Sequence, residues 1–157
     1  MAETISMAMY GTKHSHAPGV LSVMLANPDV EVVGVYEPDR TRRDELEMSE
    51  DGPWSHVRWL DSSSDILENS SIVAVASEGD NAESLAHTEA IVEAGKHVFY
   101  DKPAGEDLPR FEQVLASAKR QGLLVQMGYM FRYNDGFARI AEWARSGYLG
   151  NVFSVRA

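Results

Sequence analysis

Two periodicities alternate along the chain. Short apolar runs at Ile5 to Tyr10, Glu31 to Tyr36, Ile72 to Ala76, Lys96 to Tyr100 and Leu123 to Met127 read as strands. The third of these, Ile-Val-Ala-Val-Ala, is continuously apolar, the pattern of a strand buried on both faces. His56 to Leu60 predicts one more short strand, followed by a small helix capped from Asp61-Ser-Ser-Ser-Asp65. Between the strands lie helical stretches. Pro18 to Ala26 carries proline in its first turn, Arg40 to Met48 is charged, and Ala82 to Ala94 stops at Gly95. Leu108, Phe111, Val114, Leu115 and Ala118 share one helical face ended by Gly122. Phe137, Ile140, Ala141 and Ala144 share another, closed by Gly147. Asn151 to Ala157 reads as a strand that begins and is cut off. Strand and helix in regular alternation predict right-handed βαβ units, an α/β fold with a doubly wound, mainly parallel sheet.

The 157 residues suit one such unit, and 44% hydrophobic content can fill its core. A formal net charge of −10 excludes nucleic acid and anionic membrane as expected partners, since both need clustered positive charge. With no cysteine, thiolate catalysis, disulfides and Cys-ligated metals are excluded. No apolar run approaches the roughly 18 residues of a membrane span, and Met1-Ala-Glu-Thr-Ile lacks the features of a signal peptide, so a cytoplasmic location is expected.

In open parallel sheets, ligands bind at the carboxyl ends of the strands. The first such end is Gly11-Thr-Lys-His-Ser-His16, between a strand and a helix. A dinucleotide-binding turn of the form G-x-G-x-x-G keeps only its first glycine here, with Lys13 and His16 at the other two positions. If Lys13 adopts positive φ, the backbone cost is about 1–2 kcal/mol, against about 1.5–3 kcal/mol from a charge-assisted hydrogen bond to an anion. Glu37 closes the second strand, 21 residues after His16, where an acid accepts hydrogen bonds from an adenosine ribose. His14 and His16 form a His-x-His pair. With no third histidine or neighbouring carboxylate evident, no metal is expected there.

The fifth strand runs into Asp101-Lys102-Pro103. His97-Val-Phe-Tyr-Asp-Lys-Pro103, preceded by Glu93-Ala-Gly-Lys96 and followed by Gly128-Tyr-Met-Phe-Arg132-Tyr133, resembles the glucose–fructose oxidoreductase / inositol dehydrogenase / MocA (Gfo/Idh/MocA) family of NAD(P)-dependent oxidoreductases. Asp101 stands where that family has glutamate. The resemblance implies a Rossmann-like NAD(P)-binding domain over residues 1–130. Residues 131–157 would be the connecting helix and first strand of a substrate domain that is absent. It implies that Gly11, Thr12, Lys13, His14 and His16 surround the pyrophosphate and that Glu37 takes the ribose. Ser77, Glu78, Gly79 and Asn81 would line the nicotinamide ribose, and Asp101 would orient Lys102 and contact cofactor. Lys102 would be catalytic, hydrogen-bonding the substrate hydroxyl as its hydride leaves, with Arg132 at the mouth of the site.

Glu37 repels a 2′-phosphate and argues for NAD, whereas Arg40, Arg42 and Arg43 offer partners to such a phosphate and keep NADP open. The implied function is hydride transfer between a nicotinamide cofactor and a sugar, cyclitol or related secondary alcohol. The partner is then a carbohydrate-like small molecule held through the missing domain, and a homo-oligomer is an option. The rival is a non-catalytic dinucleotide-binding regulatory or scaffold module. Lys102 favours the first and the substituted glycines favour the second.

Overall fold

The structure, a computed structural model, describes residues 4–156. Five parallel strands, β1 (Ile5–Tyr10), β2 (Val30–Tyr36), β3 (Ala74–Ser77), β4 (His97–Tyr100) and β5 (Val125–Met127), form one sheet in the order β2-β1-β3-β4-β5. The strand order reverses between β1 and β3, because the chain leaves β1 for one side and returns on the other. That opens a crevice at their carboxyl ends.

Side-chain alternation along the strands divides the core in two. Ala8, Val75, Val98 and Tyr100 point to one face, where they pack with α3 (Ser64–Leu67), α4 (Ser84–Glu93) and α5 (Leu108–Gln121) through Ile66, Leu85, Ile91, Val92, Val114 and Ala118. Met9, Val35 and Ala76 point to the other, under Ala17, Leu21 and Met24 of α1 (Ala17–Ala26) and Trp54. Central strands buried on both faces are what the apolar runs anticipated. The helix boundaries follow local chemistry. Asp107 caps α5 by accepting the Arg110 N–H at 2.9 Å, and Gly122 ends it at φ 69°. Asp39 accepts the Arg42 N–H at 3.3 Å and caps α2 (Arg40–Glu47).

Two expected strands do not form. His56 to Leu60 is reduced to a single parallel bridge, Val35 to Trp59, after a 3-10 turn over Pro53–His56. Trp54 drives this. It turns into the core and stacks on Trp59 with ring centroids 6.0 Å apart, leaving two backbone hydrogen bonds between this segment and β2. Gly34 permits even that approach, since a Cβ there would lie 2.7 Å from the Arg58 carbonyl oxygen. The sheet therefore has five strands where six were expected. Residues 151–156 form no strand either. They pair with neither edge of the sheet, and Val152, Phe153 and Val155 lie exposed. The final helix, α6 (Asp135–Arg145), forms as expected and is capped by Asn134, but its apolar residues Phe137 and Ile140 remain exposed. Among the described residues, no helix is long and apolar enough to cross a membrane.

Candidate functional site

The turn after β1 and the loop after β3 close on each other at the switch point. Gly11 has φ 79°, and a Cβ there would fall 2.8 Å from the backbone of Gly79, so only glycine fits. Gly79 is similarly confined by the ring of His87, 2.7 Å from where its Cβ would be. The backbone knits the two segments: Glu78 donates its N–H to the Tyr10 carbonyl and His14 donates to the Glu78 carbonyl, both at 2.9 Å. Lys13 does not have positive φ, since every positive-φ residue among those described is a glycine. The backbone cost expected for Lys13 is therefore not incurred.

Several N–H groups of this turn are committed within the chain. Thr12 donates to Glu37 at 2.7 Å, His14 to Glu78, His16 to His14 Nδ1 at 3.2 Å, and Ala17 to the His14 carbonyl. Pro18 has none to give. The N–H groups of Lys13 and Ser15 have no partner among the described residues, and His16, the N-cap of α1, makes no side-chain capping bond. The residues fit a dinucleotide in outline: a glycine crevice at the switch point, an uncapped helix start and two spare donors. Lys13 adds a cation at the rim, 3.4 Å from Glu83 and 3.7 Å from Asp39, and the Glu83 charge raises its pKa.

Glu37 is buried. One oxygen accepts the Thr12 N–H and hydroxyl, the latter at 2.6 Å, and the other accepts the Asp39 N–H at 2.9 Å. It thus holds the turn to the end of β2. Arg40 opens α2 and is exposed. Arg42 is the arginine that reaches the turn, donating to the Thr12 hydroxyl at 2.8 Å and the Thr12 carbonyl at 2.6 Å. Its side chain follows from the capped start of α2, a signal that sequence reading grouped with a 2′-phosphate instead. His87 of α4 packs against Tyr10 with ring centroids 4.5 Å apart and planes tilted by 45°; it walls the Gly79 loop, and burial lowers its pKa.

Ser77 ends β3 with a buried hydroxyl that has no partner among the described residues, and Asn81 is exposed, its carbonyl accepting the Ser84 hydroxyl at 3.0 Å. Glu78 is wholly buried, and neither of its side-chain oxygens has a hydrogen-bond partner among the described residues. Burial, with a smaller contribution from the charge of Asp101, pushes its pKa up to about 8. His14 lies 3.4 Å from Glu78 and 3.5 Å from Asp101, and burial lowers its pKa. His16 Nδ1 is 2.5 Å from the same Asp101 oxygen. The other Asp101 oxygen accepts the Lys102 N–H at 2.7 Å and lies 3.9 Å from Lys102 Nζ. The structure thus supplies the His-x-His pair with the neighbouring carboxylates that the sequence did not reveal.

Lys102 is half exposed and faces a cavity of about 300 Å³ lined also by His16, Gly128, Tyr129, Met130 and Phe131. Arg132, in the 3-10 turn Met130–Tyr133, is exposed and does not line that cavity; its neighbour Phe131 does. A larger cavity, about 650 Å³, lies on the α1 face of the sheet. Its floor and walls are largely apolar, with Met7, Phe99, Val20 and Met127, and it meets the polar crevice at Ser15, His16 and Asp101.

A switch-point crevice in a parallel sheet, with a glycine turn on its first strand and an acid–lysine pair two strands over, defines a dinucleotide-binding α/β domain. Residues 5–129 match the oxidoreductase family with an NAD-binding Rossmann fold, the Gfo/Idh/MocA family, and the chain belongs to it. Among curated relatives, a myo-inositol dehydrogenase, Hyg17, of Streptomyces leeuwenhoekii is 37% identical over 68 residues, 43% of this chain and 21% of that protein. A dTDP-3,4-didehydro-2,6-dideoxy-alpha-D-glucose 3-reductase of Actinomadura kijaniata is 32% identical over 77 residues, 47% of this chain and 23% of that protein. The fold is also that of GenD2 from gentamicin A biosynthesis, solved in complex with NAD. That likeness has a TM-score of 0.80 and 21% identity, covering 94% of this chain and 41% of GenD2. The matched stretches thus span about a fifth to a quarter of these curated relatives, and the chain less than half of that solved neighbour.

Proposed function

We propose that this chain is the cofactor-binding part of an oxidoreductase that transfers hydride between a nicotinamide cofactor and a sugar, cyclitol or related secondary alcohol, with NAD preferred over NADP. The observation that carries the reading is the convergence at one sheet edge of the Gly11 turn, the Glu78-to-Asn81 loop and the Asp101-Lys102 pair. Relatives named for inositol and deoxysugar substrates support the substrate class.

Gly11 and Gly79 let the two loops meet, while the spare N–H groups of Lys13 and Ser15 and the start of α1 face an anion. Lys13 neutralises part of its charge. Glu37, bonded to Thr12 and buried, places a carboxylate at the end of β2, where a 2′-phosphate would be repelled. When bound, the nicotinamide accepts or returns a hydride. Asp101 holds the Lys102 backbone, and the Lys102 ammonium, half exposed on the smaller cavity, can hydrogen-bond a hydroxyl there and assist its proton transfer. A second domain would wall that cavity and supply the remaining groups, so the 157 residues alone are expected not to turn over. The committed N–H groups of the turn favour a second reading, a dinucleotide-binding module without chemistry.

Titration with NADH and NADPH, followed by fluorescence, tests both readings. NADH should bind weakly but measurably, and more tightly than NADPH. No saturable binding of either would end the dinucleotide reading. In a chain carrying a substrate domain, Lys102→Ala should lower kcat by about 100- to 10,000-fold and leave cofactor affinity within a few-fold. Undiminished kcat would leave the module reading standing.

A further inference from the structure

We infer that His14, His16, Asp101 and Glu78 bind a divalent transition-metal ion of the zinc class. These residues come from three places far apart in sequence. His14 and His16 sit on the turn after β1, Glu78 follows β3 and Asp101 follows β4, and these three strands lie side by side in the sheet. Possible ligand atoms of His14, His16 and Asp101 all fall within 4.8 Å of one another.

Tetrahedral zinc bonds of about 2.0–2.2 Å place ligand atoms about 3.3–3.5 Å apart. His14 Nδ1 stands 3.4 Å from Glu78 Oε2 and 3.5 Å from Asp101 Oδ2, spacing that already suits two edges of such a tetrahedron. The third contact is tighter: His16 Nδ1 and Asp101 Oδ2 are 2.5 Å apart, a hydrogen bond that would open on metal binding as the imidazole carries its proton on Nε2 and leaves Nδ1 free to ligate. The 3.2 Å hydrogen bond from the His16 backbone N–H to His14 Nδ1 would break, the amide keeping its proton and the ring nitrogen's lone pair turning to the ion.

Glu78 points independently to a ligand. A hydrogen-bonded His16–Asp101 pair is complete in itself, but the Glu78 carboxyl is buried, faces His14 and has neither oxygen satisfied. Buried carboxyl oxygens without partners are costly and uncommon. An ion at this point releases the Glu78 proton to solvent and satisfies the resulting carboxylate, and two carboxylates with two neutral imidazoles balance a double positive charge. The donor set selects the metal. Two nitrogens and two carboxylates suit Zn²⁺ or Co²⁺, whereas Mg²⁺ and Ca²⁺ take oxygen shells. Lys102 Nζ, 3.9 Å from the far oxygen of Asp101, opposes the ion, but its half-exposed chain can swing into the smaller cavity. His16 lines both cavities, which gives the ion its route in.

The site shares a sheet edge with the dinucleotide crevice but does not depend on that reading, so the test is made without nucleotide. Chelator-treated protein is titrated with Zn²⁺ by calorimetry and with Co²⁺ by visible absorption. One ion per chain should bind with Kd in the micromolar range or below, and bound Co²⁺ should show the strong absorption of a tetrahedral site. Glu78→Gln keeps size and shape, and His16→Gln changes a partly exposed side chain. Each should weaken binding by about 10- to 100-fold or more, while His56→Gln, away from the cluster, should not. Urea unfolding of each variant establishes that it is folded. Binding no tighter than millimolar overturns the inference. So does affinity unchanged by either Glu78→Gln or His16→Gln, which would place the ion on other surface groups.

Discussion

At the scale of single residues, Glu78 has the largest calculable consequence. Its carboxyl ordinarily titrates near 4.5, and in the folded protein burial holds it near 8. Between those values the folded chain keeps a proton that the unfolded chain has released, so raising the pH removes stability. The loss begins near pH 4.5 and is complete above about pH 8. It amounts to a few kcal/mol. In chelator-treated protein, urea unfolding at about pH 5 and about pH 9 should show this loss in the wild type and a much smaller one in Glu78→Gln. Equal pH dependence in both would remove Glu78 as the cause. Gly11 makes a second prediction. An added Cβ meets the Gly79 backbone at 2.8 Å and requires a left-handed residue, so Gly11→Ala should cost about 2 kcal/mol or more. The same unfolding measurement checks it.

At the scale of elements, the strands were legible where apolar residues ran without interruption, as in β3, and the helices where a proline or glycine marked an end, as at Pro18 and Gly122. The segment at His56 to Leu60 had the composition of a strand, but the burial of Trp54 three-dimensionally overrides it, and nothing local announces that. The same division holds in the site. Gly11 and Lys102 were legible because each closes a strand. The meeting of His14, Glu78 and Asp101 was not, because it depends on β1, β3 and β4 being neighbours. Arg132 was legible by motif alone, and the 3-10 turn that carries it leaves it exposed. The proposed division of the chain near residue 130 belongs to this scale too. The side chains of α6 are nearly all exposed, so a chain ending at Asn134 should keep its stability within about 1 kcal/mol. Amide exchange in α6 should also be faster than in α4 and α5, whose apolar faces are buried. Equal protection would show that α6 is packed on the domain.

At the scale of the whole molecule, apolar surface is unevenly distributed. Phe131, Tyr133, Phe137, Ile140, Tyr148, Leu149, Phe153 and Val155 are all exposed, with Phe153 at 98%, and they belong to one stretch of the last 30 residues or so. Scattered apolar residues are ordinary on a protein surface, but so many exposed within one short stretch of chain favour cover by another surface. Burying even part of it at about 25 cal/mol per Å² rewards association, and the net charge of −10 opposes it only within a Debye length of about 8 Å at physiological salt. The 157-residue chain is therefore expected to self-associate at concentrations of about 100 μM, more strongly as salt screens the charge. A chain ending at Asn134 should sediment as a monomer, and one ending at Gly150 should associate less than the whole. Sedimentation of the three chains at low and high salt decides it. If all three are monomeric at both, this apolar stretch does not drive association.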